Sequence, residues 1–107
     1  MQHSNDTLFK TLADPTRRAI FERLCREGEQ TVGALTTFAQ ISQPTVSRHL
    51  AVLRDAGLVQ DRPDGRKTHY RAAYQALKPL VDWTAEMTAF WDGRFDDLEN
   101  LLRRMDQ

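Results

Sequence analysis

The 107-residue chain is poor in the residue types from which reactive sites are usually built: one cysteine, three histidines, five glycines and no net charge. A lone Cys25 excludes an intrachain disulfide and leaves no thiol cluster for a metal. It stands beside a helical apolar set, where packing is expected in preference to a redox or ligand role. Histidine occurs only at positions 3, 49 and 69, no nucleophile has a base at a telling spacing, and no glycine-rich phosphate loop is present. An enzyme and a bound cofactor are therefore not expected. No apolar run approaches the roughly 20 residues of a membrane span. The opening "MQHSNDTLFK" also lacks the charged-then-apolar order of a secretion signal, so a cytoplasmic protein with no membrane partner is expected. With 40% apolar and 28% charged residues, the composition suits one globular domain spanning 1–107. A chain this short buries a modest share of its surface, so a dimer that adds apolar burial would stabilise it.

Zero net charge hides a strong asymmetry. In residues 1–41 the basic and acidic side chains cancel. Residues 42–71 carry Arg48, Arg54, Arg62, Arg66, Lys67 and Arg71 against only Asp55, Asp61 and Asp64. Residues 72–107 carry Lys78, Arg94, Arg103 and Arg104 against Asp82, Glu86, Asp92, Asp96, Asp97, Glu99 and Asp106. A basic middle and an acidic tail suit a protein that turns one face toward a polyanion and the other away from it.

Helix signals are dense. In "LADPTRRAIFERLCREG", Asp14 is a natural N-cap, Pro15 fits the first helical position, Ile20, Phe21 and Leu24 recur at helical spacing, and Gly28 ends the segment. Upstream, Leu8, Phe9 and Leu12 form a short apolar helical patch expected to pack against a partner element. Thr31 precedes a short helix, "VGALTTFA", with Val32, Leu35 and Phe38 on one side. A longer helix follows after a brief link: Ser42 caps it, Pro44 is tolerated in its first turn, Val46, Leu50 and Leu53 form its buried stripe, and Gly57 stops it. The period then changes. Leu58 to Arg62 and Lys67 to Ala72 read as two strands of a hairpin joined by "PDG", which should pack on the helices.

From about 74 to 104 the pattern is one long helix with Pro79 near its start. Leu80, Trp83, Met87, Phe90, Leu98, Leu101 and Met105 fall in one sector, and Leu77, Val81, Trp91, Phe95 and Leu102 in the next. Together they cover roughly half the cylinder, more than the ~100° stripe that faces a single core. The second sector is expected to meet another copy of the chain. The expected dimer interface comprises Leu8, Phe9, Leu12, Trp83, Met87, Phe90, Trp91, Phe95 and Leu98.

The expected fold is mainly α with a small β-hairpin: a winged helix-turn-helix with a long C-terminal dimerisation helix. In that arrangement the helix after Ser42 enters the major groove of double-stranded DNA, and the hairpin lies along the backbone or reaches the minor groove. With Val46, Leu50 and Leu53 inward, Pro44, Ser47, Arg48 and Ala51 face out. Gln43 suits adenine N6 and N7, Arg48 suits guanine or a phosphate, and Thr45 and His49 flank the face near phosphates. On the hairpin, Gly65 supplies a permissive tip from which Arg66 and Lys67 project, with Arg62 and Arg71 nearby. His69 is expected to pack or to hydrogen-bond on the strand face. Arg17 and Arg18 are open to two readings, phosphate contact and plain solvation.

Taken together, "LADPTRRAI", "ISQPTVSRHLAVLRDAGLV" and "GRKTHYR" resemble the ArsR/SmtB family of bacterial winged-helix repressors over roughly residues 5–105. The resemblance implies a homodimer, paired through its terminal helices, that binds an inverted-repeat operator and blocks transcription. It maps DNA contact onto Gln43, Thr45, Ser47, Arg48, His49 and the wing. Metal-sensing relatives carry a cysteine pair in the helix before the recognition helix, where this chain has "TVGALTTFA", or Asp, His and Glu ligands on the terminal helix, where this chain has carboxylates and no imidazole. Carboxylates on a solvated face suit transition metals poorly, and the opening "LADPTRRAI" with an aromatic-rich terminal helix resembles the family's metal-independent subgroup. Two other readings stand beside it. One adds a redox or small-molecule input, an effector of unknown identity acting through Cys25 or through the aromatic interface around Trp83, Phe90 and Trp91. The other makes the winged helix a protein-interaction module.

Overall fold

The computed structural model describes residues 4–106. Its first corner is set by one short stretch. Ser4 accepts the Thr7 N–H and opens α1, Asn5–Ala13. Asp14 then starts α2, Pro15–Glu27: its carboxylate accepts the Arg17 N–H at 2.8 Å, and Pro15 occupies a first-turn position where a missing N–H has no intrahelical partner to lose. That backbone hydrogen bond is the main reason the Asp14 carboxyl is held below its usual range. The next two side chains turn backward. Arg17 Nε donates to the Thr11 carbonyl at 2.6 Å and an Arg18 guanidinium nitrogen to the Leu12 carbonyl at 2.8 Å. These last-turn carbonyls of α1 have no partner within their own helix, and a cation there also complements the helix dipole. Both arginines thus brace the α1–α2 corner, and Arg18 remains about half exposed, its side chain 48% accessible.

Gly28 ends α2 with φ 80, and the strand β1, Gln30–Thr31, follows. Thr31 accepts the Ala34 N–H at 3.1 Å to cap α3, Val32–Ala39, which stops at Gln40 in the left-handed region. Ser42 caps α4, Gln43–Asp55, with Pro44 in its first turn. At its end, Gly57 (φ 78) donates to Arg54 O and Leu58 to Leu53 O, each at 2.9 Å. This paired closure requires a left-handed residue, which glycine supplies without a Cβ clash. Strands β2, Val59–Asp64, and β3, Lys67–Ala72, lead through a 3-10 turn, Tyr74–Leu77, into α5, Lys78–Met105.

The core draws on the four helices before α5 and on the hairpin, and Leu80 at the start of α5 packs against it. Leu8 of α1, Ile20 and Leu24 of α2, Leu35 of α3, Val46, Leu50 and Leu53 of α4, and Leu58 and Val59 at the sheet are all buried. Among the described residues no helix is long and apolar enough to cross a membrane.

Several expectations change here. The sheet has three strands in the order β1-β3-β2, not two. β1 pairs Gln30 with Tyr70 and Thr31 with His69, and two residues are too few to show the alternation by which a strand is read. The hairpin tip lies one residue later than "PDG" suggests. Pro63 pairs with Thr68 and Asp64 with Lys67, so the loop is Gly65–Arg66. Pro63 is tolerated because β2 is an edge strand, and Gly65 (φ 61) has the sign that a two-residue turn with glycine first requires. The terminal helix begins at Lys78 rather than near 74, with Pro79 in its first turn.

Leu8 does not belong to a dimer interface: it is fully buried inside the protomer. Leu12 is partly buried against the same core. Phe9 alone of that patch stays half-exposed, with its ring edge-on to Trp83 of α5 at 5.2 Å between centroids. Leu8→Ala is therefore expected to lower the unfolding free energy by about 2–5 kcal/mol in urea titrations, as for a core leucine. A loss below about 1 kcal/mol would return Leu8 to the surface.

Candidate nucleic-acid interface

The burial of Val46, Leu50 and Leu53 leaves Gln43, Pro44, Ser47 and Arg48 exposed along the other side of α4. Three of its side chains form a ladder. Ser42 and Thr45 hydroxyls lie 2.7 Å apart, and an Arg48 guanidinium nitrogen donates to the Thr45 hydroxyl at 3.3 Å. The ladder draws Arg48 toward the helix N-terminus, the end where side chains reach base edges when such a helix enters a major groove. His49, the next residue along, is half-buried.

The hairpin has two unlike faces. Val59 and Tyr70 are buried against the helices. By register Gln60 opposes Arg71, Arg62 opposes His69, and Asp64 opposes Lys67, which places a mostly charged set on the outer face. Arg71 donates twice to the side-chain amide oxygen of Gln60, Oε1, at 2.9 and 2.7 Å. Arg62 makes a two-pronged ion pair with Glu29, from the short link between α2 and β1. His69 lies between two carboxylates, Nδ1 3.5 Å from Glu29 and Nε2 3.6 Å from Asp64. The hydrogen bond from Arg62, more than its charge, holds the Glu29 carboxyl below its usual range. The pair's contribution is thus complete above the ordinary carboxylate pKa and is lost only as pH falls through the lowered one.

At the tip the arrangement opens. Arg66 and Lys67, both exposed, face Gln43 and the first turn of α3, Val32 to Ala34, across a cleft of about 440 Å³. A recognition-type helix start and a basic hairpin tip thus share one concave surface. The structure brings Gln43, Gly65, Arg66 and Lys67 to this end and runs Ser47 and Arg48 along the adjoining face of α4. It draws Arg62 away into its pair with Glu29 and leaves His49 half-buried at the edge of that face.

Comparison with known proteins agrees with this geometry. The helix-turn-helix domain family matches residues 12–62. The chain is 52% identical over 81 residues to the arsenical resistance operon repressor of Escherichia coli, covering 75% of this chain and 65% of that one. It is 42% identical over 92 residues to the HTH-type transcriptional regulator Rv2034 of Mycobacterium tuberculosis, covering 81% and 85%. The crystal structure of the ArsR family transcriptional regulator RHA00566 superposes with a TM-score of 0.73 at 30% identity, over 86% of this chain and 97% of that one. This chain belongs to the ArsR family of winged helix-turn-helix transcriptional regulators. The family is one of regulators, not enzymes. The chain spans between 50% and 66% of the length of the arsenic-resistance regulators that it matches.

Two features of this ArsR-family regulator escaped sequence reasoning. Glu29 was not singled out, because its partner lies 33 residues away and no local pattern connects them. Cys25, expected to pack, is exposed: Leu24 takes the buried position on α2, and the next residue turns outward. Partial desolvation, with Glu22 adding to it and Arg26 opposing, holds the Cys25 thiol above its ordinary range. A thiol kept protonated is a weak nucleophile. The alkylation rate of the native protein is therefore expected to rise through a midpoint above the ordinary cysteine value of about 8.5. A midpoint below it would revive Cys25 as a redox input.

Proposed function

We propose that this ArsR-family regulator is a homodimeric, sequence-specific DNA-binding repressor that acts on an inverted-repeat operator in the cytoplasm without a bound metal. The observation that carries the reading is the shared cleft between Gln43 of α4 and the basic hairpin tip. In this reading α4 lies in the major groove, where Gln43, Ser47 and Arg48 meet base edges and Thr45 and His49 border the backbone. Arg66 and Lys67, set out by Gly65, hold phosphates beside it.

A second copy is supported by α5. In the single protomer Phe90 is 63% exposed, Trp91 59%, Phe95 63% and Leu98 51%, a contiguous apolar surface that a monomer seldom leaves in water. Phe9 and Trp83, packed edge-on, continue that surface toward α1, and Met87 is half-buried on the same helix. A twofold axis through it would present two α4 helices to half-sites about one helical turn apart, which is why the operator is read as an inverted repeat.

The metal-free reading rests on the ligand chemistry available. The E. coli relative is by name an arsenical resistance repressor, and soft ions favour thiolates. Helix α3 of this chain has neither cysteine nor histidine, and its one thiol stands alone on α2. Among the described residues no cluster of three metal-binding side chains occurs.

Binding measured on an operator duplex and on a random duplex tests the assignment of roles. Arg48→Ala is expected to weaken operator binding by about 1–3 kcal/mol with less effect on random DNA. Arg66→Ala is expected to weaken both alike and to reduce the salt slope by about one. Equal losses on both duplexes for Arg48→Ala would remove it from the base-reading set.

A further inference from the structure

Arg62 carries a charge that suits a phosphate, yet its guanidinium is engaged inside the protein. Both oxygens of Glu29 are used: Nη2 meets Oε1 at 2.5 Å, and Nε meets Oε2 at 3.5 Å. The position of this pair matters more than its strength. β1 pairs with β3 only at Tyr70 and His69, and Arg62 is the β2 residue opposite His69. Arg62 therefore stands at the last position where the sheet is three strands wide. Beyond it only Pro63, Asp64, Lys67 and Thr68 remain paired, a two-stranded extension that is marginal without support. Its bearing, and with it the place of Arg66 and Lys67, is set where the third strand stops.

Glu29 reaches that point because Gly28, with φ 80, turns the chain sharply out of α2 just before it. The carboxylate also lies 3.5 Å from His69 Nδ1, so it touches both strands of the hairpin at their outer face. Both partners are partly solvated, 55% exposed for the Arg62 side chain and 32% for that of Glu29, and such pairs add little to global stability. A carboxylate on the side of the molecule read as facing DNA is also unfavourable for binding a polyanion. Neither stability nor attraction accounts for Glu29, whereas aiming the hairpin does.

We propose that Glu29 is a positioning residue for the wing: it holds Arg62 back from the phosphates and fixes the direction from which Arg66 and Lys67 meet them. The inference rests on the DNA-binding reading above, and two measurements separate its failure from the failure of that reading. The first is a salt series of operator binding for wild type, Glu29→Gln, Arg62→Glu and the double exchange Glu29→Arg/Arg62→Glu. Glu29→Gln removes a negative charge, so charge alone predicts tighter binding. Positioning predicts binding about 3–10-fold weaker with a shallower salt slope, because tip contacts are lost. Arg62→Glu weakens binding further, and the double exchange, which restores an ion pair at unchanged net charge, recovers it to within about threefold of wild type. Tighter or unchanged binding by Glu29→Gln overturns the proposal. A double exchange no better than Arg62→Glu alone does so too, and makes Arg62 a phosphate ligand. The second measurement needs no DNA. Amide hydrogen exchange between residues 62 and 68 is expected to quicken in Glu29→Gln while exchange in α2 and α4 stays as in wild type. Unchanged exchange at the hairpin removes the anchor itself. Quickened exchange in a protein whose wild type ignores DNA keeps the anchor and discards the reading it was meant to serve.

Discussion

The rotation of α4 about its own axis is the constraint on which the functional surface depends. Val46, Leu50 and Leu53 are fully buried at the spacing of successive helical turns, so α4 cannot roll without exposing all three. At 100° per residue this sets Arg48 about 200° from Val46, on the side away from the core. The helix is fixed lengthwise as well, by the Ser42 cap at one end and by the Gly57 and Leu58 hydrogen bonds at the other. Leu58, the residue that completes that closure, is itself buried, so the end of α4 and the start of β2 are held by the same core.

The hairpin inherits its placement from this arrangement. Val59 and Tyr70 fasten its base to the helices, and β1 supports it for two residue pairs. Its outer part has neither support. Charged contacts take over there, with Glu29 gripping Arg62 and facing His69. The molecule thus passes from apolar burial at the base of the wing, through an ion pair at mid-length, to exposed cations at the tip. α5 stands outside this scheme: it rests on α1 near Trp83 and keeps no residue buried within the protomer. Beyond Leu80 and Trp83 its apolar side stays largely exposed in the single chain, and the proposed pairing rests on that exposure.

The parts of this fold legible in the sequence are those decided by neighbours in the chain. Asp14 with Pro15, Ser42 with Pro44, and Gly57 each settle a helix end through local hydrogen bonds and backbone freedom, and each end lies where those residues place it. The stripe Val46, Leu50, Leu53 was equally plain. Less legible were features settled by residues far apart. β1 is too short to alternate, and the Glu29–Arg62 pair joins positions 33 apart. Leu8 and Cys25 failed for a different reason: an apolar residue on a short helix suits a core or a partner equally well, and only packing decides which. At the candidate site, the nearness of Gln43 to Arg66 and Lys67 agrees with fold order, whereas the diversion of Arg62 to Glu29 could not be read from it.

The most direct test of the account is a fluorescence-anisotropy titration of the protein against the DNA immediately upstream of its own gene and a shuffled duplex of equal length, over a range of salt concentrations. The account predicts preference for the upstream duplex, two chains bound per duplex, and affinity that falls steeply as salt rises. Equal affinity for the two duplexes, or binding that salt leaves unchanged, would contradict it.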